Sequence, residues 1–246
     1  MFSFFNKKDF LVDHLEGFID IHNHILPGID DGAKSANDSL QLVKMFREFG
    51  VTDFICTPHI MHNYYDNTPK TIKKAFKKVK KVITEEGFTG IKISFAAEHM
   101  IDDNFEQILQ NGNALPLNSN HILIEMSYLQ PSINFDSALD LINEKQLFSV
   151  FAHPERYQYL NKNQGQYSAL KAKGIKFQLN MLSLGGYYGK EVQKTAQTLL
   201  KNGFYDFIGS DAHGKRHLFG LSKLTLEQRN KKNVIALIEN TKAAFL

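Results

Sequence analysis

Gly17-Phe18-Ile19-Asp20-Ile21-His22-Asn23-His24 is the stretch that decides the fold and the chemistry of this 246-residue sequence. It has the pattern of a short apolar strand that ends in two alternating histidines. Successive strand side chains point to opposite faces, so His22 and His24 share one face and can grip one ion or two neighbouring ions. The run Phe207-Ile208-Gly209-Ser210-Asp211-Ala212-His213 repeats the arrangement with an aspartate and a histidine. The two regions together predict a shared metal site.

The composition is that of an ordinary globular protein. A hydrophobic content of 43% and a charged content of 22% are typical values, and 246 residues suffice for one large domain. The formal net charge of +3 is too small to indicate nucleic acid as a main partner. No apolar run approaches the roughly 20 residues that span a bilayer, so stable membrane insertion is not expected. A single cysteine, Cys56, excludes an internal disulfide and favours a reducing, cytoplasmic compartment.

Apolar runs alternate with helical patterns along the chain. Strands are predicted over 18–21, 53–56, 92–96, 121–125, 148–151, 176–180 and 206–209. Helices are predicted over 35–49, 71–86, 138–144, 167–173, 191–201 and 233–244. Seven strands that alternate with helices imply parallel pairing through crossovers. We therefore expect one α/β domain over 1–246, a distorted (βα)7 TIM-like barrel with residues 1–15 as an N-terminal arm. An open doubly wound sheet is the alternative.

Metal-binding types of side chain follow six of the seven predicted strands. They are His22, His24, His59, Glu98, Glu125, His153, Asp211 and His213. In alternating barrels the active site forms at the C-terminal ends of the strands, so these side chains would meet at one mouth. One histidine at a strand end is usually a hydrogen-bonded core residue. Six coincident ends would repel or desolvate each other unless cations neutralised them.

The types of ligand predict the ions and the chemistry. Histidines and carboxylates without a cysteine thiolate suit Mn, Fe or Zn, and so many ligands imply two or three ions. Clustered ions of this kind activate a water and neutralise phosphoryl oxygens, which predicts phosphoester hydrolysis. Asp30 and Asp31 lie in a turn after the first strand. Adjacent residues cannot easily face one metal, so one would bind it and the other orient a ligand. A turn that only caps the helix at Ser35 is the alternative.

Six pieces of the chain carry a family resemblance. They are the run from Asp20 to Ala33, Thr57-Pro58-His59, the glutamates Glu98 and Glu125, His153-Pro154-Glu155-Arg156, and Ser210-Asp211-Ala212-His213. Together they resemble the PHP family, and within it the bacterial manganese-dependent protein-tyrosine phosphatases encoded with capsule and exopolysaccharide genes. The resemblance covers nearly the whole chain. Asp30-Asp31-Gly32-Ala33 and His153–Arg156 are its most specific elements.

The resemblance implies a barrel of the PHP type with three metals. The first would take His22, His24, Glu98 and Asp211. The second would take Glu98, Glu125 and His153, and the third Asp31, His59 and His213. The implied catalytic residues are Arg156, Asp211, His213 and Arg216. Arg156 would bind the substrate phosphate, a role that suits an always charged, planar guanidinium, and Arg216 is the candidate for a second such arginine. His213 could act as a general acid, and His99 has no implied role.

The implied function is the dephosphorylation of phosphotyrosine with manganese, or with iron or zinc in its place. The expected partner is the tail of a bacterial tyrosine kinase that regulates capsular or exopolysaccharide synthesis, and a homo-oligomer is allowed. A PHP phosphoesterase for a small metabolite, of the histidinol-phosphate type, is the alternative. An inactive metal-binding regulator and a proofreading nuclease are less favoured, because the ligand set is complete and no second domain is visible. A cysteine-based phosphatase needs Cys-x5-Arg, but His62 occupies the arginine position after Cys56.

Overall fold

A computed structural model describes residues 8–161 and 165–246 as parallel strands that alternate with helices. The strands are β1 (Ile19–Asp20), β2 (Asp53–Cys56), β3 (His59–Ile60), β4 (Lys92–Phe95), β5 (Glu98–Met100), β6 (His121–Glu125), β7 (Phe148–Ala152), β8 (Lys176–Asn180) and β9 (Phe207–Gly209). The α-helices are α1 (Ala36–Glu48), α2 (Pro69–Glu85), α3 (Phe105–Gln110), α4 (Phe135–Glu144), α5 (Gln158–Asn161), α6 (Gly165–Ala172), α7 (Lys190–Lys201), α8 (Lys215–Lys223) and α9 (Gln228–Phe245). Short 3-10 turns cover Leu11–His14, Pro154–Arg156 and Met181–Gly185.

The strands form two parallel sheets, which confirms the predicted α/β class. One sheet has the order β1-β2-β4, and the other has the order β3-β5-β6-β7-β8-β9. Beyond the ends of β1 and β9, Asn23 and Ala212 form a parallel bridge. The Asp211 N–H donates to the His22 carbonyl at 2.7 Å, and the His24 N–H donates to the Ala212 carbonyl at 3.0 Å. The two sheets are therefore hydrogen-bonded to each other along this edge.

Two of the predicted strands are each followed, after two residues, by a short second strand that belongs to the other sheet. The chain leaves β2 at Cys56 and enters β3 at His59, with Pro58 between them. Proline has no N–H to donate, so the ladder of β2 cannot run through this position. The Pro58 carbonyl instead accepts the N–H of Glu98 at 3.1 Å, where β5 begins. The strand predicted over 92–96 accordingly ends at Phe95, and the structure has nine short strands in the described residues instead of seven.

Helix boundaries follow the local capping chemistry. The Ser35 hydroxyl accepts the Asp38 N–H at 3.2 Å, which places Ser35 at the N-cap of α1. Thr68 caps α2 in the same way, and Pro69 fills its first turn, so α2 begins two residues before the predicted start at 71. The helix α9 begins five residues before its predicted start at 233. The helices α3, α5 and α8 were not predicted; α3 and α5, with six and four residues, are too short for a clear apolar periodicity.

An apolar cluster at the centre, called here the inner plug, receives side chains from strands of both sheets. Its buried members are Ile19, Ile21, Ile55, Ala96, Leu117, Leu123, Val150, Ala152 and Phe207. Ala244 and Phe245 at the end of α9 pack against it. Leu123 and Glu125 lie on one face of β6, because side chains two apart in a strand point the same way. The inner plug therefore gives way to polar side chains toward the C-terminal ends of the strands.

The N-terminal segment is only partly an arm. Residues 1–7 of the predicted arm lie outside the described residues. Farther along, the Leu11 N–H donates to the Leu224 carbonyl at 2.8 Å, and the Leu226 N–H donates to the Asp9 carbonyl at 2.7 Å. Leu11 and Leu15 are fully buried, so the second half of the arm belongs to the core. Within 8–161 and 165–246, no helix has the length and apolarity needed to cross a bilayer.

Candidate metal centre

The four side chains predicted for the first metal lie together in the interior. His22 Nε2 is 3.1 Å from Glu98 Oε2 and 3.3 Å from Asp211 Oδ1. His24 Nε2 is 3.4 Å from each of the same two oxygens. One ligand atom from each of the four residues falls within 4.8 Å of the others. All four side chains are buried, so the site is shielded from bulk water on this side.

The residues predicted for the third metal also come together, nearer the surface. Asp31 Oδ1 lies 3.5 Å from His59 Nε2 and 3.4 Å from His213 Nε2. His24 joins them to form a second group whose ligand atoms lie within 4.8 Å of one another. The Asp31 side chain is 52% exposed. This end of the centre therefore opens to solvent, as a site that admits a substrate requires.

The residues predicted for the second metal are arranged differently from the expected set. Glu98 and Glu125 group with His59, whose Nδ1 is 2.8 Å from Glu125 Oε1. His153 Nε2 lies 3.2 Å from the other oxygen of Glu98, outside that group. Glu98 thus contacts histidines on both of its oxygens, which suits a bridging carboxylate. The three groups together with His153 are called here the metal cluster. Its members are His22, His24, Asp31, His59, Glu98, Glu125, His153, Asp211 and His213.

Unpaired buried atoms indicate that the metal cluster fits cations. Within the described residues, eleven buried side-chain nitrogen and oxygen atoms lack a hydrogen-bond partner, and eight of them belong to the predicted ligands. These ligands are His22, His24, His59, Glu98, Glu125, His153 and Asp211, with both oxygens of Glu98 unpaired. Buried polar atoms are normally satisfied in folded proteins. A convergent set of imidazole nitrogens and carboxylate oxygens therefore fits the binding of metal ions.

The electrostatics of the metal cluster favour positive charge at its centre. Burial alone would lower the pKa of His22, but the carboxylates of Glu98 and Asp211 raise it above its usual range. Burial opposes ionisation of Glu98, yet the His22 and His59 imidazoles hold the pKa of Glu98 well below its usual value. For His59, the nearby Glu125 and Glu98 overcome the effect of burial and raise the pKa to about 9. Glu98 therefore stays ionised and attracts protons or metal cations to this point.

A second layer of oxygens orients the histidines. His22 Nδ1 lies 2.8 Å from Gln178 Oε1, and His24 Nδ1 lies 2.8 Å from Asp30 Oδ2. Each contact makes Nδ1 the donor, so in the neutral imidazole Nε2 is the nitrogen that is free to bind a metal. Gln178 was missed in the sequence analysis. Its place two residues before Asn180 in β8, on the same face, was the signal that could have revealed it.

The two aspartates in the turn after β1 contact different residues. Asp30 is buried, contacts His24 and accepts the Gly32 N–H at 2.9 Å. Asp31 instead faces His59 and His213. The chain passes so close to itself here that a Cβ on Gly32 would lie 2.1 Å from the His24 carbonyl oxygen. Only glycine fits this position, which explains its place directly after the two acids.

Arg156 lies beside the metal cluster in a cage of aromatic rings. Its Nη1 donates to Asp211 Oδ2 at 2.7 Å. The guanidinium carbon is 4.9 Å from the centre of the Tyr128 ring and 4.2 Å from that of Tyr188. Asn180 Nδ2 donates both to the same Asp211 oxygen, at 2.9 Å, and to the Tyr188 hydroxyl. The ion pair with Asp211 and the two ring contacts hold the positive charge of Arg156 next to the metal cluster.

Three other side chains considered in the sequence analysis lie outside this arrangement. Arg216 is exposed in the first turn of α8, and its side chain makes no hydrogen bond or ion pair in the described part of the chain. His99 is a core residue: its Nδ1 lies 3.1 Å from the Leu123 carbonyl, its Nε2 accepts the Leu115 N–H, and burial lowers its pKa to about 4. Burial also raises the pKa of the Cys56 thiol, so it cannot supply a thiolate.

Two residues of the metal cluster have a strained backbone. His153 has a φ of 37° and Asp211 a φ of 51°, in the left-handed region that residues with a side chain rarely adopt. Asp211 is held there by its own N–H bond to the His22 carbonyl. Such conformations persist only where the surroundings enforce them, and they concentrate at functional sites.

Solved and curated proteins resemble this chain over most of its length. It is 31% identical over 196 residues to the tyrosine-protein phosphatase YwqE of Bacillus subtilis, with 79% of this chain and 77% of that protein covered. It is 29% identical over 196 residues to the putative tyrosine-protein phosphatase CapC of Staphylococcus aureus, with 79% and 76% covered. The tyrosine-protein phosphatase CpsB of Streptococcus agalactiae is 27% identical over 201 residues, with 79% and 82% covered.

A solved structure and a family model agree with these relatives. The structure comes from a study of YwqE from Bacillus subtilis and CpsB from Streptococcus pneumoniae, described as unique metal-dependent tyrosine phosphatases. It matches with a TM-score of 0.74 and 29% identity, over 90% of this chain and 94% of that one. Residues 18–221 match the family model for capsular polysaccharide synthesis, CpsB/CapC. The chain therefore belongs to the CpsB/CapC family of capsular polysaccharide synthesis.

Proposed function

We propose that this chain is a metal-dependent protein-tyrosine phosphatase. The observation that carries the proposal is the metal cluster, in which unpaired imidazole nitrogens and carboxylate oxygens converge. Membership of a family with relatives named as tyrosine-protein phosphatases gives the substrate class. Phosphotyrosine hydrolysis is favoured over the small-metabolite alternative, because the three relatives reported above are named tyrosine-protein phosphatases, one of them as putative.

The metal cluster would hold two to three divalent ions. The proposed ligands are those of the sequence analysis, with His59 added to the Glu98 and Glu125 pair: His22, His24, Asp31, His59, Glu98, Glu125, His153, Asp211 and His213. Bound ions would supply Lewis acidity and an activated water for phosphoester hydrolysis. Manganese is the proposed ion, with iron or zinc as alternatives, since none of the ligands is a thiolate.

Arg156 is the proposed phosphate-binding residue. Its guanidinium is held by Asp211 and by the rings of Tyr128 and Tyr188. Its remaining N–H groups are therefore already oriented before a phosphate binds. A pre-oriented positive charge stabilises phosphoryl oxygens as their charge redistributes in the transition state. His213, at the solvent side of the cluster, is a candidate donor of a proton to the leaving phenolate only as an alternative to its role as a metal ligand. Its Nδ1 lies 2.9 Å from the Asp211 carbonyl oxygen, so an imidazole that also bound metal through Nε2 would have no proton to give. Arg216 stays a candidate for a second contact to phosphate.

The proposed architecture is a distorted (βα)7 barrel in one domain. Two observations support it: the Asn23–Ala212 bridge joins the two sheets, and the inner plug draws on strands of both. In this arrangement β2 with β3, and β4 with β5, each count as one broken barrel strand. The metal cluster then occupies the C-terminal mouth, where barrel active sites form.

The proposed setting is the cytoplasm, with the phosphotyrosine tail of a bacterial tyrosine kinase as substrate. The family description, capsular polysaccharide synthesis, supports a regulatory role in making that polymer. The lone buried Cys56 suits a reducing compartment. A homo-oligomer assembled partly through N-terminal residues is also proposed.

The experiment compares phosphate release from a phosphotyrosine peptide, a phosphoserine peptide and histidinol phosphate, each with added Mn²⁺. The phosphotyrosine peptide should be turned over fastest. The His22→Ala variant, checked for its fold by circular dichroism, should release no phosphate. Activity retained by that variant, or a preference for histidinol phosphate, would contradict the proposal.

A further inference from the structure

A groove of about 730 Å³ opens beside the metal cluster, at the C-terminal ends of β3, β5 and β6. It is called here the loop groove, and it is lined by residues from the segments 61–64, 100–106 and 127–134. Met100, one of its lining residues, is the register partner of Glu125 and lies on the same strand face as Glu98. The loop groove therefore begins directly next to the proposed ligands.

Hydrogen bonds fix the walls of the loop groove. The Ser132 hydroxyl donates to the Ile101 carbonyl at 2.6 Å, and Asn134 Nδ2 donates to the Asp102 carbonyl at 2.8 Å. On the other side, the His62 N–H donates to Asp102 Oδ2 at 2.8 Å. The three segments are thus bonded to one another, which lowers the conformational entropy that a bound partner would have to remove.

Large apolar side chains along the loop groove face solvent. Leu129 is 91% exposed, Ile133 is 99% exposed and Tyr64 is 76% exposed. These are the three most exposed large apolar residues in the part of the chain that the structure describes. Apolar side chains gathered around a polar-rimmed groove mark an interaction surface, because isolated exposure is common but clustered exposure is not.

The charge of the loop groove is negative, although the chain carries a formal +3. Asp102, Asp103 and Glu106 line it, and among the residues that the structure describes no lysine or arginine does. The Asp103 side chain is 79% exposed and forms an ion pair with His62. A partner that lies here should therefore offer apolar side chains together with positive charge.

We propose that the loop groove binds the peptide segment next to the phosphotyrosine and selects substrates with an apolar residue and a lysine or arginine there. The inference rests on the proposed function. A phosphotyrosine at the metal cluster leads its own flanking residues past Met100, and an extended chain advances about 3.3 Å per residue. The neighbouring residues of the substrate thus reach Leu129, Ile133 and the acidic side chains.

The apolar half of the proposal is tested with the Leu129→Ser/Ile133→Ser double variant. The substrate is a phosphotyrosine peptide flanked on both sides by leucine and lysine, with p-nitrophenyl phosphate measured in parallel. The variant should lose about tenfold in kcat/KM on the peptide, mainly through KM. Turnover of p-nitrophenyl phosphate, which has no flanking chain, should stay within about twofold of the parent. Leu246→Ser, a matched exposed leucine beside the N-terminal ends of β2 and β4, should change neither rate.

The charged half is tested with peptides in which glutamate replaces each lysine. The parent should prefer the lysine peptide, and Asp103→Asn should reduce that preference about two- to fivefold, as expected for an exposed charge pair. Glu85→Gln on α2, an exposed acid outside the loop groove, should leave the preference unchanged.

Distinct results separate the failure of this inference from the failure of the proposed function. If all variants hydrolyse both peptides as the parent does, the loop groove is not a substrate site, while the phosphatase stands. If the double variant changes a dimer into a monomer with unaltered peptide kinetics, the loop groove is a contact between two copies, and the inference is again wrong. If the parent hydrolyses neither p-nitrophenyl phosphate nor any peptide, the proposed function fails first.

Discussion

The two ends of the protein interior differ in polarity. Toward the N-terminal ends of the strands, the inner plug is apolar and closed by Ala244 and Phe245 of α9. Toward the C-terminal ends, the same strands carry buried nitrogens and oxygens without partners. On β6 the change takes only two residues, from Leu123 to Glu125. Burial stabilises the fold at the first end, whereas at the second the fold holds charges in place for a ligand.

Removal of one cluster carboxylate should have the largest effect. Glu98→Gln keeps the shape of the side chain but removes the charge that two of the groups share. We expect kcat on a phosphotyrosine peptide to fall on the order of 10³-fold, the loss typical of a main electrostatic contact. The free energy of unfolding with chelator present should change much less than in the plug variant that follows. A near-normal rate with bound Mn²⁺ would contradict the assignment of Glu98.

A cavity in the inner plug should produce the opposite result. Leu123 is fully buried, so Leu123→Ala leaves a void and should lower the free energy of unfolding by about 2–5 kcal/mol. The rate per folded molecule, measured well below the melting temperature, should stay within a few-fold of the parent. Urea unfolding and steady-state kinetics on one sample check both. A large loss of rate with an unchanged free energy of unfolding would contradict the assignment of stability to the inner plug and of catalysis to the metal cluster.

Asp20 lies between Ile19 of the inner plug and His22 of the metal cluster, and should make stability depend on pH. Burial raises its pKa to about 6, and the hydrogen bonds from Ser210 only partly oppose this. The folded protein therefore holds this proton more tightly than the unfolded chain, and the contribution of Asp20 to stability falls as the pH rises from about 4 to about 6.

The Asp20→Asn variant isolates this effect, because its amide keeps the shape and does not ionise. Its stability relative to the parent should rise by up to about 3 kcal/mol between pH 4 and pH 7, measured by denaturant unfolding with chelator. A constant difference across that range would show that Asp20 does not titrate there.

Loss of an orienting oxygen should have the smallest effect. Gln178→Met removes the acceptor for His22 Nδ1 but keeps the length of the side chain. We expect a 10- to 100-fold loss in kcat or in metal affinity. Gln178→Glu retains an acceptor and should lose less. Equal losses in the two variants would mean that Gln178 only fills space.

The sequence predicted which residues form the metal cluster better than it predicted how the strands around the cluster pair. Alternation in two short runs located His22, His24, Asp211 and His213, and the structure places all four in the metal cluster. The pairing of His59 with Glu98 and Glu125 was not foreseen, because it depends on how β3 and β5 align across the break at Pro58. Long-range register of this kind has no local sequence signal.

Contacts that orient the ligands were harder to predict than the ligands. Gln178 and Tyr188 are ordinary residues of a strand and a loop, and their contacts to His22 and Arg156 span long stretches of sequence. The strands β3 and β5 were also missed, since elements of two or three residues carry too little periodicity to recognise, and the helix α8 was missed as well. The helices α1 and α2, whose N-caps are Ser35 and Thr68, were predicted to within a few residues because capping and apolar periodicity are local signals.

The most direct test of the central claim is one titration on the purified protein. Bound metal is measured by elemental analysis before and after chelation, together with the rate of phosphate release from a phosphotyrosine peptide at each step. The account predicts two to three equivalents of a divalent metal in the active protein, loss of the rate when they are removed, and recovery on addition of Mn²⁺. Full activity in protein stripped of metal would contradict it.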